Sequence, residues 1–279
     1  RSEAVKLGIK AGLDIILNPM DFREAFDAVV EAVGTGEISE QRINESVRRI
    51  LRMKRSMQST TASADPTPLK EWKAGETVST EAIEAYGGLD RCFASEPIPD
   101  NVWERMQGKT YKENPYIGRD DLRHIRTLHW DYDHKIHIGE MVVNKQIADV
   151  VVNIFRQLYD AKYPIQRMLL PDVYDADDET QMRDNNTSCF CFRTISGSTK
   201  LSKHARGLAI DVNTLYNPYY KDRESGRYVQ PATATKFCDR TWNFPYKIDE
   251  EDLCYKLFTE AGFEWGGSWT SCKDYQHFE

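Results

Sequence analysis

The sequence predicts an α+β fold over residues 81–279, with an antiparallel sheet and flanking helices. Strand-like and helix-like segments occur there without the regular alternation that a parallel sheet requires. A strongly amphipathic helix is predicted at about 145–161, because apolar residues recur there every three or four positions. The composition, 40% hydrophobic and 29% charged, is that of a soluble globular protein.

The first 54 residues predict the end of a helix, a short strand and two further helices. The apolar run Leu13–Leu17 has the length of a strand. A helix is predicted to begin at Asp21, which together with Glu24 forms a capping-box pattern. The last helix, over 43–54, has an apolar stripe and a basic C-terminal end, which the helix dipole favours.

Residues 55–80 are rich in Ser, Thr and Pro and are predicted to form a linker. Residues 81–114 show no clear period, and we expect them to wrap around the core of the domain that follows. The predicted domains are therefore 1–54, the linker 55–80, and 81–279.

The elements of the second domain are predicted from short apolar runs and from punctuation by Gly and Pro. We predict strands at 137–144, 165–170, 189–193, 208–212, 263–265 and 275–277, and a helix at 249–261. The segment 217–235 lacks periodicity and is predicted to be a long loop, which could serve as a lid over a site.

Charge and hydropathy exclude several classes of function. The net charge of -7 leaves no basic surplus for phosphates, so we expect no nucleic-acid partner. No run of eighteen apolar residues occurs, so we expect no membrane span. The six cysteines leave two alternatives open, which are free buried thiols or bridges among Cys238, Cys254 and Cys272.

Two short stretches predict the halves of one metal site. His204 and Asp211 are seven residues apart, and His277 lies near the end of the chain. Two imidazoles and one carboxylate suit Zn²⁺, and three protein ligands leave a position open for water, as catalytic zinc sites do. A rival pair, His134 and His137, is less favourable because a three-residue spacing in a strand places the two on opposite faces.

These stretches also resemble a known family. The pattern Ser202-x-His204-x-x-Gly207-x-Ala209-x-Asp211, followed by Trp269 and Asp274-x-x-His277, resembles the M15 zinc peptidases over about residues 115–279. The resemblance implies an M15/hedgehog-type peptidase fold and Zn²⁺ held by His204, Asp211 and His277. It also implies cleavage of peptidoglycan stem peptides, as a D-Ala-D-Ala carboxypeptidase or an L-Ala-D-Glu endopeptidase.

The same resemblance implies roles for four further residues, each with an alternative. Asp274 would be the general base, or would only orient His277. Arg193 would stabilise the oxyanion, or would only form a salt bridge. Ser202 and Trp269 would bind substrate, or would be a turn residue and a core residue.

Residues 11–19 and 36–51 resemble a different family. They are similar to the last strand-helix unit of a family 3 glycoside hydrolase barrel of the β-N-acetylhexosaminidase type. One βα unit cannot close a barrel, so we expect residues 1–54 to be the remnant of a longer chain. The alternative is a small helical appendage.

Two functions remain open at this point. The first is a zinc peptidase acting on peptidoglycan in the bacterial cell envelope, periplasmic or extracellular. The second is a non-catalytic, zinc-containing cell-wall binding domain on the same fold. The presence of Asp274 and Arg193 beside the three ligands favours catalysis.

Overall fold

A computed structural model of the chain describes residues 2–16, 22–59, 72–195 and 198–279. The chain divides into two compact units, residues 1–65 and 66–279. All six cysteines are free thiols, and only Cys272 is partly exposed. Within the described ranges, no helix is long and apolar enough to cross a membrane.

The first unit contains three helices: α1 (Ser2–Lys10), α2 (Phe22–Gly34) and α3 (Glu40–Ser59). Asp14 accepts hydrogen bonds from Arg49 and Ser46, both at 2.7 Å, so the α1–α2 connection is tied to α3. Both helices predicted after residue 21 are confirmed.

The strand predicted at Leu13–Leu17 is wrong over Leu13–Ile16, which form a turn and irregular backbone. In the described part of this unit no other strand is present to pair with it, and unpaired strand backbone gains no ladder hydrogen bonds. Leu17 and Asp21 lie outside the described residues.

The second unit is built on a three-stranded antiparallel sheet of β1 (Ala94–Glu96), β2 (Leu122–Trp130) and β3 (Ile136–Asn144). Helix α6 (Ala148–Asp160) packs its apolar stripe on one face of this sheet. The predicted strand at 137–144 and the predicted helix at 145–161 are confirmed. Strand β2 was not predicted, because charged and polar side chains interrupt its apolar pattern.

Parts of the predicted linker are ordered. Helix α3 continues to Ser59. Farther along, the backbone N–H groups of Gly75 and Val78 donate to carbonyls of β3, at 2.7 and 2.9 Å. Residues 72–79 therefore lie along the edge of the central sheet, while residues 60–71 lie outside the described part of the chain.

Two small antiparallel sheets complete the second unit. Strand β4 (Ile210–Asp211) pairs with β8 (His277–Phe278), and β5 (Tyr219–Arg223) lies between β6 (Gly226–Gln230) and β7 (Lys273–Asp274). The prediction of a long loop at 217–235 is wrong, because β5 and β6 form a hairpin there. Its Tyr and Arg side chains pair across the strands, with Arg227 over Tyr220 at 4.3 Å, and no apolar alternation reveals it.

The predicted strands at 165–170 and 189–193 are wrong as paired strands. Each makes single hydrogen bonds to β3: Glu140 N donates to Met168 O at 3.0 Å, and Phe190 N to Val142 O at 3.1 Å. The strand predicted at 208–212 is shortened to β4. Four further helices are α4 (Thr80–Tyr86), α5 (Asp100–Met106), α7 (Asp178–Arg183) and α8 (Leu253–Glu260), the last confirming the helix predicted at 249–261.

The architecture is thus mixed, with small antiparallel sheets and helices. The largest hydrophobic core lies between the central sheet, α6, α8 and the β4–β8 pair. Ile210 and Phe278, one on each of these short strands, are fully buried in it. Strands of only two residues are held by this packing, since their few ladder bonds would not suffice alone.

Candidate metal centre

The β4–β8 pair brings together two residues that lie 66 positions apart. Asp211 is the direct register partner of His277, and Ile210 is that of Phe278. Side chains directly opposite on antiparallel strands share a face, with Cβ atoms about 5 Å apart. Burial of Ile210 and Phe278 on one face therefore places Asp211 and His277 together on the other.

His204 is supplied by a 3₁₀ turn that precedes β4. The Ser202 hydroxyl accepts from the His204 backbone N–H at 3.2 Å, just before this turn. The turn ends at Gly207, whose φ of 65° lies in the left-handed region. A Cβ at Gly207 would lie 2.7 Å from the backbone nitrogen of Asn144, so only glycine allows the turn to dock on the end of β3.

Three electron-pair donors converge where these elements meet. His204 Nε2 lies 3.2 Å from His277 Nδ1 and 3.2 Å from Asp211 Oδ2, and His277 Nδ1 lies 2.9 Å from Asp211 Oδ1. Tetrahedral zinc with ligand bonds of about 2.0–2.2 Å separates its ligand atoms by about 3.3–3.6 Å. The donor set therefore fits Zn²⁺ after small side-chain shifts.

Hydrogen bonds behind the donors fix which ring nitrogen faces the centre. His204 Nδ1 lies 2.7 Å from the carbonyl oxygen of Cys189, so Nδ1 carries the proton and Nε2 is left as a donor. His277 Nε2 lies 3.2 Å from the Glu279 carboxylate, which leaves His277 Nδ1 facing the centre. Each imidazole is thus oriented as a metal-binding histidine usually is.

The electrostatics of the three groups favour positive charge at the centre. Burial alone would raise the pKa of Asp211, yet His204 and His277 hold that pKa far below its usual range. Burial would lower the pKa of His277, but hydrogen bonds to Asp211 and Glu279 raise it to about 10. The carboxylates that stabilise a proton on His277 would also attract a cation placed among these groups.

Asp274 reaches the centre from the other small sheet. It lies on β7 as the register partner of Tyr219. Burial raises the pKa of Asp274 to about 7, and the charge of Asp211 adds to this, while the charge of His277 opposes it. Its Oδ1 atom is buried and has no hydrogen-bond partner among the described residues. A carboxyl with a pKa near neutrality is suited to general acid–base chemistry.

Gly266 allows the segment from β7 to β8, which carries Asp274 and His277, to approach closely. A Cβ at this position would lie 2.7 Å from Asp274 O and 3.3 Å from His277 Cβ. In the sequence Gly266 is only one member of a Gly-Gly pair, so the need for a residue without a Cβ at this contact could not be predicted from the sequence.

The other predicted site residues have defined environments. Arg193 Nε lies 2.9 Å from Asp178 Oδ2, and its positive charge lowers the pKa of Asp274. The Trp269 ring centroid lies 5.3 Å from that of His277, and Trp269 Nε1 donates to Glu264 at 2.7 Å. The assignments of Arg193 to the oxyanion and of Ser202 and Trp269 to substrate remain predictions.

The rival histidine pair lies elsewhere. His137 Nε2 bonds Asp131 at 2.7 Å, and His134 occupies a turn with a φ of 59°. Over the described ranges, only His204, Asp211 and His277 form a group of three ligand residues, with their ligand atoms within 4.8 Å of one another.

One contact of the centre was not predicted. Glu279 follows His277 by two positions, and this spacing in a strand places both side chains on the same face. The two-residue spacing of His277 and Glu279 in the sequence could therefore have predicted that Glu279 contacts His277.

Comparison with known proteins yields two family matches. Residues 196–279 match the family described as D-alanyl-D-alanine carboxypeptidase, of the M15 peptidases. Residues 1–53 match the N-terminal domain of glycosyl hydrolase family 3. Searches of curated proteins and of solved structures gave no significant match.

These matches confirm both resemblances found in the sequence, although the peptidase match begins at residue 196 rather than near residue 115. They support a peptidase-like function for the part of the chain that contains the candidate metal centre.

Proposed function

We propose that the second unit is a zinc-dependent peptidase that hydrolyses the stem peptides of peptidoglycan. The observation that carries the proposal is the convergence of His204, Asp211 and His277 within the segment that matches the peptidase family. Three donors of this kind leave a coordination position for water, as catalytic zinc sites do.

His204 Nε2, His277 Nδ1 and an Asp211 carboxylate oxygen would hold the metal. When bound, Zn²⁺ would lower the pKa of its water towards about 7 and polarise the substrate carbonyl. The Cys189 carbonyl and Glu279 keep the two imidazoles in the required tautomers.

Asp274 is the proposed general base. Its buried Oδ1 has no partner among the described residues, so it can accept a proton from the attacking water and pass it to the leaving amine. Such proton transfer typically contributes about 10²–10⁴-fold to the rate.

Arg193 is proposed to donate to the carbonyl oxygen as it gains negative charge. A donor in this role is worth about 3–4 kcal/mol of barrier. The Asp178 carboxylate at 2.9 Å holds the guanidinium in place. Ser202 and Trp269 are proposed to contribute to substrate binding, and the Trp269 ring lies against the metal-binding face of β8.

The family match supports stem peptides of peptidoglycan as the substrate class, and the bond that is cut has two alternatives. The enzyme removes the terminal D-Ala as a D-Ala-D-Ala carboxypeptidase, or cuts after L-Ala as an L-Ala-D-Glu endopeptidase. Either activity would be exerted on the cell wall, so the proposed location is the bacterial cell envelope. The second candidate is a non-catalytic, zinc-containing wall-binding domain, but the raised pKa of Asp274 favours catalysis.

Mass spectrometry of muropeptides after incubation with the protein tests the proposal, with and without a chelator. Loss of one D-Ala identifies the carboxypeptidase, and release of the peptide after L-Ala identifies the endopeptidase. Asp274→Asn is expected to abolish either product while still binding zinc. Asp239→Asn, at an exposed carboxylate, serves as the matched control and should remain active.

No product from any muropeptide, despite stoichiometric zinc, would refute the peptidase and favour the binding domain. Full activity of Asp274→Asn would refute the assignment of the base.

A further inference from the structure

One face of the β2–β3 hairpin carries charged groups between two hydrophobic clusters. Leu122 and Val142 belong to one cluster, and Leu128 and Ile138 to the other. Between them, on the same face, lie His124, Arg126 and Glu140. Placing charged groups between two apolar clusters costs free energy of desolvation.

The buried part of this cluster is an ionic network. His124 Nε2 lies 3.0 Å from Glu140 Oε2, and both side chains are about 95% buried. Arg105 of α5 donates to the other Glu140 oxygen at 2.8 Å and to Asp172 at 3.0 Å. Burial opposes protonation of His124, but its two carboxylate partners raise its pKa above the usual value.

A second group of contacts extends the network to the N-terminal edge of the unit. Glu96 of β1 lies 3.3 Å from both His124 Nδ1 and Arg126 Nε. The Arg126 guanidinium lies over the Trp72 ring at 5.3 Å. Arg126 Nε is buried and has no aligned hydrogen-bond acceptor among the described residues.

These groups line a cavity of about 680 Å³. Trp72, Leu169 and Val173 supply apolar wall, and Asn101 and the exposed Lys73 add polar groups. The volume lies in the range of small-molecule sites, which combine an apolar lining with a few fixed polar groups. None of these residues belongs to the metal centre.

The charge balance restricts what the cavity can bind. The buried charges at the base of the cavity are already paired. Arg105 contacts Glu140 and Asp172, Arg126 contacts Glu96, and His124 lies between Glu96 and Glu140. A ligand of high charge would disturb this pairing and leave a buried charge uncompensated. A neutral ligand that both donates and accepts hydrogen bonds can use the remaining N–H groups and carboxylate lone pairs at no such cost.

We propose that this cavity is a saccharide-binding site, which takes a neutral, polyhydroxylated sugar whose apolar ring face contacts Trp72. The charged groups at its base meet the hydroxyl and amide groups of the sugar. This site would act separately from the peptidase centre, and its test requires no turnover.

Titration calorimetry and ligand-observed NMR with N,N′-diacetylchitobiose and with cellobiose, on the full chain, test the proposal. Val173 is 56% exposed and lines the cavity, so Val173→Trp fills the cavity without removing a charge. This variant is expected to weaken sugar binding by about tenfold or more, which corresponds to about 1.4 kcal/mol. Val47→Trp, at an exposed valine of the first unit, is the matched control.

Trp72→Ala is expected to weaken sugar binding in the same way, and hydrolysis of a sugar-free peptide by Val173→Trp should remain unchanged. Three outcomes overturn the proposal. These are no binding of either disaccharide, sugar binding unchanged in Val173→Trp, and preferential binding of acetate or inorganic phosphate, which would make the cavity an anion site.

Discussion

Replacing Glu279 tests how much the orientation of His277 contributes to metal binding, because the three proposed ligand atoms all remain. Glu279 accepts from His277 Nε2 at 3.2 Å, whereas none of the three converging donor atoms belongs to it. In Glu279→Ala the imidazole can adopt the other tautomer and can rotate, because its outer partner is gone. All three ligands remain, so metal binding should weaken without being lost.

The expected size of the effect follows from the kind of contact removed. Loss of a hydrogen-bonded partner behind a ligand typically lowers metal affinity about 10–100-fold, or about 1.4–2.7 kcal/mol. Glu279→Gln keeps an acceptor oxygen but loses the charge that strengthens the bond, so its effect should be smaller. Zinc affinity is measured by competition with a chromogenic chelator at fixed pH.

The fold should survive both changes, because Glu279 is held by its backbone. Its N–H and C=O exchange hydrogen bonds with Glu264 at 2.9 and 2.8 Å. Glu260→Ala, at an exposed carboxylate, is the control. Zinc affinity in Glu279→Ala within about threefold of the unaltered chain would refute the orienting role, as would a loss in Glu279→Gln as large as in Glu279→Ala.

Two further substitutions test the packing and the buried charge of the second unit. Gly266→Ala would place a Cβ 2.7 Å from Asp274 O, so it is expected to lower the free energy of unfolding by about 1–3 kcal/mol and to weaken zinc binding. Gly34→Ala is the control, because no atom lies within 4 Å of the added Cβ, and it should leave zinc affinity unchanged. Equal zinc affinities in the two variants would contradict this prediction. Burial raises the pKa of Asp252 to about 6, so the folded state binds this proton more tightly than the unfolded state. Asp252 therefore destabilises the fold progressively as pH rises from about 4, the pKa in the unfolded state, to about 6, and the effect is constant above that. Asp252→Asn keeps the helix cap and should raise the free energy of unfolding by up to about 3 kcal/mol at pH 8 and by little at pH 4. Urea unfolding followed by tryptophan fluorescence measures this difference, because all the tryptophans lie in the second unit. A gain in the free energy of unfolding that does not depend on pH would contradict the prediction.

The site was more predictable from the sequence than the fold around it. The ligand types and spacing indicate a metal site wherever their strands lie, and the two-residue period of a strand places Asp211 on the face opposite the buried Ile210. What the sequence could not provide is the pairing of β4 with β8, since these strands contribute two residues each. Such pairing depends on the packing of Ile210 and Phe278 into a shared core.

The elements that were mispredicted share a physical cause. Strand β2 and the β5–β6 hairpin carry charged and aromatic side chains that pair with the neighbouring strand, such as His124 with Glu140 and Tyr220 with Arg227. A hydrophobic period registers only apolar burial, so it fails where cross-strand pairs are polar, as in β2, or exposed, as in the hairpin. The segments at 165–170 and 189–193 are apolar because they are buried, but they make single bonds rather than ladders.

The proposed chemistry of the centre depends on a very short connection that joins two small sheets. Asp274 ends β7 and His277 begins β8, with only Tyr275 and Gln276 between them. Val212 N donates to Gln276 O at 3.0 Å, and Trp265 Nε1 donates to Tyr275 O at 2.9 Å. The connection is therefore fixed on both sides, so the proposed base Asp274 and the proposed ligand His277 keep one separation. A rigid arrangement of this kind is what proton transfer to a positioned group requires.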